Sequence, residues 1–411
     1  MNGVNTVDSL FIFLCTVLVL VMTPALALFY GGMVRRKNVL STTLHSYAAI
    51  VIVSLQWILI GYTLCFGTDF AGIIGKFNFL GLNGVGFSPN ADYAATIPHQ
   101  GFMMFQLMFA IITVALVSGA IAERMKTIAF ILFILLWTTL VYDPLAHWVW
   151  GVGGFIRNLG ALDFAGGDVV HISSGVSGLV AALMLGARRR KSSVMPHNIP
   201  MTLIGVGLLL FGWFGFNAGS ALAFNDVAYN AFITTNTSAA AAAVGWCVLE
   251  YIHDKKVSAL GIGSAIVAGL VSITPGAGYV TPLSAVFIGL VGGAICFTSV
   301  TVVKKKFGYD DALDAFGCHG VGGIWGGIAT GLFASKAVNS NGANGLFHGN
   351  ISLLGAQIVA ILCTILFSAV MTFIIMKIVD KLVGARVSAA DEDLGLDISQ
   401  QGEEAYGGSS V

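Results

Sequence analysis

Charge is what this chain has least of. Asp, Glu, Lys and Arg make up 10% of its 411 residues, against about 25% in an ordinary soluble domain. The signs balance, twenty acidic against twenty basic, and no basic run is interleaved with aromatics, which excludes a nucleic-acid interface. Proline is sparse, with eight in the chain, so few positions force a helix to break. The six cysteines (Cys15, Cys65, Cys247, Cys296, Cys318, Cys363) are scattered through apolar segments. None forms a CxxC pair or a metal-ligand spacing, and they read as small buried hydrophobes. No HExxH motif is present, which removes the commonest metalloenzyme helix. These absences lead us to expect no metal, no cofactor and no enzymatic reaction.

What fills the chain is apolar. Hydrophobic residues make up 56%, the mean hydropathy is +0.87, and stretches of about 20 apolar residues recur, the length that crosses a bilayer as a helix. We place eleven spans, at roughly 8–33, 43–66, 100–122, 128–150, 168–187, 200–222, 229–252, 258–273, 281–303, 314–335 and 352–378. The first resembles a signal peptide at Ala25-Leu26-Ala27, but no basic residue precedes it and Arg35, Arg36 and Lys37 follow it. A secretory signal carries its positive charge in front, so we read an uncleaved span with its N-terminus outside. The connections then cytoplasmic hold Arg35, Arg36, Lys37, Arg124, Lys126, Arg188, Arg189, Arg190, Lys191, Lys255, Lys256, Lys304, Lys305 and Lys306, and the C-terminal region adds Lys377, Lys381 and Arg386. Seventeen of the twenty basic residues fall on one side, and only Lys76, Arg157 and Lys336 fall on the other. This bias orients the protein in a cell membrane with its C-terminus cytoplasmic.

The chain divides into a transmembrane domain over 1–378 and a cytoplasmic tail over 379–411. Within the first, one repeat covers about 8–187, a second about 200–335, and an extra helix about 352–378. A five-span unit ends on the side opposite its start, so the second unit runs inverted and the fold class is all-α with two inverted five-helix repeats. Each repeat ends in a span holding one histidine. His171 follows Ala161-Leu162-Asp163-Phe164-Ala165-Gly166-Gly167, and His319 follows Ala312-Leu313-Asp314-Ala315-Phe316-Gly317. An ionisable group at membrane depth is costly and marks a functional site. Gly175 and Gly178 stand at i+4 and i+7 from His171; Gly322, Gly323, Gly326 and Gly327 stand at i+3, i+4, i+7 and i+8 from His319. Such stripes let two helices approach closely, which would bring the imidazoles into contact. Both Asp163 and Asp314 read as helix caps. Near the outer ends of spans lies an aromatic cluster of Phe105, Gln106, Phe109, Trp148, Trp150, and Trp213 to Ser220. Most aromatics there read as interfacial anchors, yet Trp, Phe and a serine hydroxyl can also cage a small cation.

Asp163-Phe164-Ala165-Gly166-Gly167, Val170-His171, Trp213 to Ser220, Gly119-Ala120-Ile121-Ala122-Glu123-Arg124, Phe29-Tyr30-Gly31-Gly32, Gly317-Cys318-His319-Gly320-Val321 and the tail Gly395-Leu396-Asp397-Ile398-Ser399 together resemble the ammonium transporter (Amt) family, bacterial type. The resemblance runs over essentially the whole chain. It implies a homotrimer with one pore per protomer, conducting ammonium or ammonia, with methylammonium as an analogue. It implies that Trp150, Phe109 and Ser220, with Phe105 nearby, form an outer recruitment site, that Phe109 and Phe216 form a phenylalanine gate, that His171 and His319 form a twin-histidine pair, and that Asp163 supports the recruitment site. Trp150 is chosen over Trp148 because it follows His147 in the family's pattern, and Trp150 with Ser220 favours Amt over the Rhesus glycoproteins. The family also implies a P-II signal protein at the cytoplasmic face. An ammonium sensor with transport secondary is the alternative, against which stands a tail of only about 25 residues after Arg386.

Overall fold

A computed structural model describes residues 3–189 and 195–407. Arg190, Lys191 and Gly408-Ser409-Ser410 therefore lie outside the described residues. The fold is all-α, with eleven membrane-crossing segments: α1 (Thr6–Met33), α2 (Arg36–Phe66), α3 (His99–Ile121), α4 (Thr127–Leu159), α5 (Gly167–Leu185), α6 (Ile199–Gly219), α7 (Asp226–Asp254), α8 (Ala259–Ile273), α9 (Pro282–Phe307), α10 (Phe316–Gly320 continued by Val321–Phe333) and α11 (Ile351–Val383). Among the described residues, nine of these are long and apolar enough to cross a bilayer on their own. The 15 residues of α8 rise only about 22 Å. Its extension through Thr274, Ala277 and Val280 is fully buried in protein, where irregular backbone is tolerated at membrane depth. The last helix continues to Val383 rather than ending near 378.

Most helix starts are capped by the residue the sequence supplies. Asn5, Asn198, Asn225, Ser258, Thr281 and Asn350 each accept hydrogen bonds from first-turn amides of α1, α6, α7, α8, α9 and α11, satisfying donors that lipid cannot. For α5 the cap is Asp163, eight residues ahead of His171. Its two oxygens accept from the amides of Gly166, Gly167, Asp168 and Val169. The matching cap of α10 is Asp311, not Asp314. Asp311 lies eight residues ahead of His319 and accepts from Ala315 and Phe316, whereas Asp314 pairs with Lys304 at 2.6 Å. The Ala-Leu-Asp echo in the sequence is thus three residues out of structural register.

The inverted relation of the halves is visible in detail. Both α5 and α10 open with a wide π-helical turn that contains the histidine, Gly167–Ile172 and Phe316–Gly320. The amide of Phe164 bonds to Pro275 beyond α8, and the amides of Ala312 and Leu313 bond to Ala120 and Gly119 at the end of α3. A Cβ on Gly175 would lie 2.2 Å from the Gly320 amide, and one on Gly323 would lie 3.1 Å from both the Gly167 carbonyl and the His171 Cβ. Only these two i+4 glycines meet the opposite histidine segment. Gly178 faces Ala120, Gly322 faces Val271, Gly326 faces Pro275 and Gly327 faces Ile361, so the rest of each stripe serves a different neighbour.

The described basic connections gather on one face, here the tail face, where the chain beyond Val383 packs rather than frays. Lys126 and Val387 exchange backbone bonds with Ala385 and Arg124. The Asp397 carboxylate accepts from the amides of Leu40 and Ser41, so the start of α2 is capped by a residue from the far end of the chain. Gln401 reaches Thr127, and Glu392 receives the Arg189 amide and the Arg386 guanidinium. Beneath the tail, fully buried Glu123 accepts from Arg35, Asn38 and Arg188. Arg188 also grips Asp310 through two parallel bonds of 2.9 and 2.8 Å.

Burial pushes the Glu123 carboxyl up, but Arg35 and Arg188 more than reverse this and hold it below its ordinary value. Arg188 and Arg124 likewise hold Asp310 far below the usual carboxylate range against its own burial. A carboxyl depressed on folding stabilises fully above its unfolded pKa and loses that contribution as pH falls through its folded value. Thermal unfolding in detergent is therefore expected to show stability level above about pH 5 and declining below about pH 4. Glu123→Ala, which strands Arg35 and leaves Arg188 with Asp310 alone, is expected to cost about 3–5 kcal/mol at neutral pH and to flatten that decline.

Candidate functional site

Three chambers lie in line through the molecule. The widest, about 580 Å³, opens on the face opposite the tail and is lined by Phe109, Trp150, Asp163, Ser220, Asp92 and Tyr93, among others. The middle one is lined by Met22, Leu26, Phe216, Trp213, His171 and His319 among others, and holds only about 10 Å³, room for about one water-sized sphere. The third, about 190 Å³, lies on the tail side and shares His319 with the middle chamber.

The Phe109 and Phe216 rings separate the first two chambers. They stack with centroids 4.2 Å apart and planes inclined by 23°. Trp150 stands edge-on to Phe109 at 6.0 Å, and its indole is fixed by a 2.9 Å bond to the Asp163 carbonyl. One helical turn before it, His147 is held between the Cys65 carbonyl and Asp69. Trp148 points elsewhere, against Phe367 at 4.3 Å, so Trp150 is the tryptophan of the vestibule. The Ser220 hydroxyl lines the same chamber and donates to the Phe216 carbonyl, which leaves its oxygen lone pairs available as acceptors. Phe105 is placed differently from expectation. It is fully buried behind Phe109, centroids 5.0 Å apart, with Gly219 against its ring. It buttresses Phe109 and does not wall the vestibule.

Asp163 lines the vestibule, yet its oxygens are committed to four backbone amides. Burial pushes its carboxyl up while the four amides pull it back down, and with both oxygens so committed it is not free to act as a direct ligand. Arg157 also lines the chamber but is tied to the Trp150 carbonyl at 2.6 Å.

Below the stacked rings the two histidines meet. His319 Nδ1 and His171 Nδ1 are 3.3 Å apart, with ring planes inclined by 23°. A bond between two Nδ1 atoms needs one to carry the proton and the other to accept it. One ring therefore has Nε2 free as an acceptor and the other has Nε2–H as a donor. His171 Nε2 has no hydrogen-bond partner in the protein. The pair thus presents one donor and one acceptor in a chamber whose other walls are almost wholly apolar.

Sequence reasoning missed several residues that the structure brings to the path. Trp213 lies face to face with His171 at 5.4 Å, its indole bonded to Thr274; it is a pore wall rather than part of an outer cage. Tyr93 and Phe102 stack at 5.4 Å in the vestibule wall, and the segment carrying Tyr93 has no motif to signal it. Asp311 was findable by counting eight residues back from each histidine.

Comparison with known proteins follows this geometry. The model of the Ammonium Transporter Family matches residues 10–406. The chain is 58% identical to the "Ammonium transporter" of Bacillus subtilis, covering 97% of this chain and 98% of that one. It is 47% identical to the "Ammonium transporter" of Aquifex aeolicus, covering 98% and 94%. Among solved structures, Candida albicans Mep2 superposes with a TM-score of 0.89 at 33% identity, covering 98% of this chain and 91% of that chain. A structure named "Sensor Amt Protein" superposes with a TM-score of 0.88 at 29% identity, covering 96% and 98%. An inverted-repeat membrane fold, a narrow apolar constriction with paired imidazoles and a match along nearly its whole length place one conclusion beyond the others: this chain belongs to the ammonium transporter family.

Proposed function

We propose that this protein takes up ammonium across the cell membrane by admitting the cation at the Trp150 vestibule, removing its proton near Phe109 and Phe216, and passing ammonia along His171 and His319. The observation that carries the reading is the middle chamber, narrow and apolar with space for about 10 Å³ beside a bonded histidine pair. The charge bias of the connections supports the Trp150 face as the outer one.

The energetics favour deprotonation over ion passage. Ammonium holds its proton a few pKa units above neutrality, so removing it costs roughly 3–4 kcal/mol at 1.36 kcal/mol per unit. Taking a bare ion out of water into such a chamber costs more, and an isolated charge there has no partner. Potassium, similar in size and charge, has no proton to lose and is excluded. Ammonia both donates and accepts hydrogen bonds, and the pair supplies one acceptor and one donor. At the vestibule, Trp150 and Phe109 offer π faces, and Asp163 supports the site by holding the Trp150 indole through its carbonyl. Three copies as the working assembly and a P-II signal protein at the tail face belong to the same proposal, both implied by the family resemblance. A sensing role is the second reading, favoured by the likeness to the Sensor Amt Protein.

Replacing both His171 and His319 by Leu is expected to abolish selective ammonium uptake in cells lacking other carriers; double-Leu pores that still carry ammonium at full rate and reject potassium would sink the mechanism. Trp150→Leu removes one cation–π face worth about 0.5–2 kcal/mol, so half-saturation for methylammonium should rise about 2- to 30-fold, read by radiolabel uptake. Affinity capture from cells given a sudden ammonium supply is expected to recover a P-II protein, and repeated capture without one argues against that partner.

A further inference from the structure

The third chamber contains a feature that neither the histidines nor the vestibule explains. Glu250, near the tail-side end of α7, lines it with Asp254, Ser258, Trp246, Phe297 and Asp314. Glu250 is 8% exposed. One carboxylate oxygen accepts from the Ser258 hydroxyl at 2.7 Å, while the other, Oε2, is buried with no hydrogen-bond partner. No lysine, arginine or histidine forms an ion pair with it among the described residues. Asp314, by contrast, is already neutralised by Lys304 at 2.6 Å. An unpaired buried carboxylate oxygen is expensive.

Helix capping does not account for it. The amides of Gly261 and Ile262, in the first turn of α8, are taken by the Ser258 hydroxyl and carbonyl. The Glu250 carboxylate nevertheless lies so close to Gly261 that a Cβ there would come within 2.3 Å of Oε2. The chain thus spends a glycine to seat a carboxylate beside the α8 start without bonding it to the amides. Among aliphatic and polar walls the chamber also holds four aromatic rings, Phe29, Tyr30, Trp246 and Phe297, the last two with centroids 5.5 Å apart, and aromatic faces favour cations. No lysine or arginine lines the chamber.

We infer that Glu250 anchors a second binding site for a small monovalent cation, ammonium itself, on the tail side of the histidine pair. The inference rests on the transport reading for the identity of the cation. Ammonia leaving the middle chamber regains a proton from water in this wider chamber, giving ammonium and hydroxide. The cation is held by the Glu250 carboxylate, with Asp254 further along the same chamber.

Two measurements on the full-length protein test this. Crystals soaked in thallous acetate, thallium(I) being an ammonium-sized probe visible by anomalous scattering, are expected to show a peak within bonding distance of Glu250. The peak should vanish in Glu250→Gln and return in Glu250→Asp. In sealed membrane vesicles of either orientation, Glu250→Gln is expected to raise half-saturating methylammonium about tenfold when it is supplied from the tail face. Half-saturation from the Trp150 face should stay within about twofold of wild type, since that vestibule is untouched. Absence of thallium at Glu250 in the wild-type protein, or a peak that survives Glu250→Gln, overturns the site. So does a variant that melts earlier yet keeps its tail-face half-saturation, because Glu250 would then be only a strut for α8. A thallium peak in a wild-type protein that moves no methylammonium from either face upholds the cation site while ending the transport reading.

Discussion

The close approach of α5 and α10 is the constraint on which the rest of the structure depends. Two helices at membrane depth can bring histidine rings into bonding distance only if their backbones nearly touch. Gly175 and Gly323 make this feasible, each lying against the other helix's histidine segment where any larger residue would collide. Once the helices are that close, the Nδ1 atoms sit 3.3 Å apart and the space left beside them admits little more than one small molecule. The width of the constriction and the pairing of the imidazoles are two consequences of one packing decision.

Holding those helices costs backbone hydrogen bonds at their starts, and the two halves meet the cost with the same chemistry. Asp163 and Asp311 each stand eight residues before a histidine and accept the opening amides. Because the repeats are inverted, these carboxyls lie toward opposite mouths of the pore. The Asp163 end faces a wide chamber with stacked aromatics. The Asp311 end is tied through neighbouring Asp310 to Arg188, Glu123 and the packed tail. Symmetric construction therefore carries asymmetric surroundings.

The tail belongs to this scheme rather than hanging from it. By capping α2 through Asp397 and bonding Arg189 through Glu392, it fastens the connections between α1 and α2 and between α5 and α6. Glu123, held at a positive φ of 69°, sits where these connections converge. A backbone conformation that disfavours side chains is tolerated there because three donor residues fix its carboxylate.

Composition and period alone determined the membrane class, the eleven spans, the clustering of basic residues in alternate connections and the two histidines whose surroundings echo each other, since lipid demands long apolar runs and penalises buried charge. The family resemblance pointed to Trp150, Phe109, Phe216 and Ser220, and residue chemistry alone offered only that Trp, Phe and a serine hydroxyl can cage a cation. What only the tertiary structure decided is which groups meet. It assigned the second cap to Asp311 instead of Asp314, put Phe105 behind Phe109 rather than in the vestibule, laid Trp213 on His171, and left Glu250 with no ion-pair partner among the described residues. Each of these depends on contacts between segments far apart in the chain, and a one-dimensional pattern carries periodicity and chemistry but not the distance between two helices.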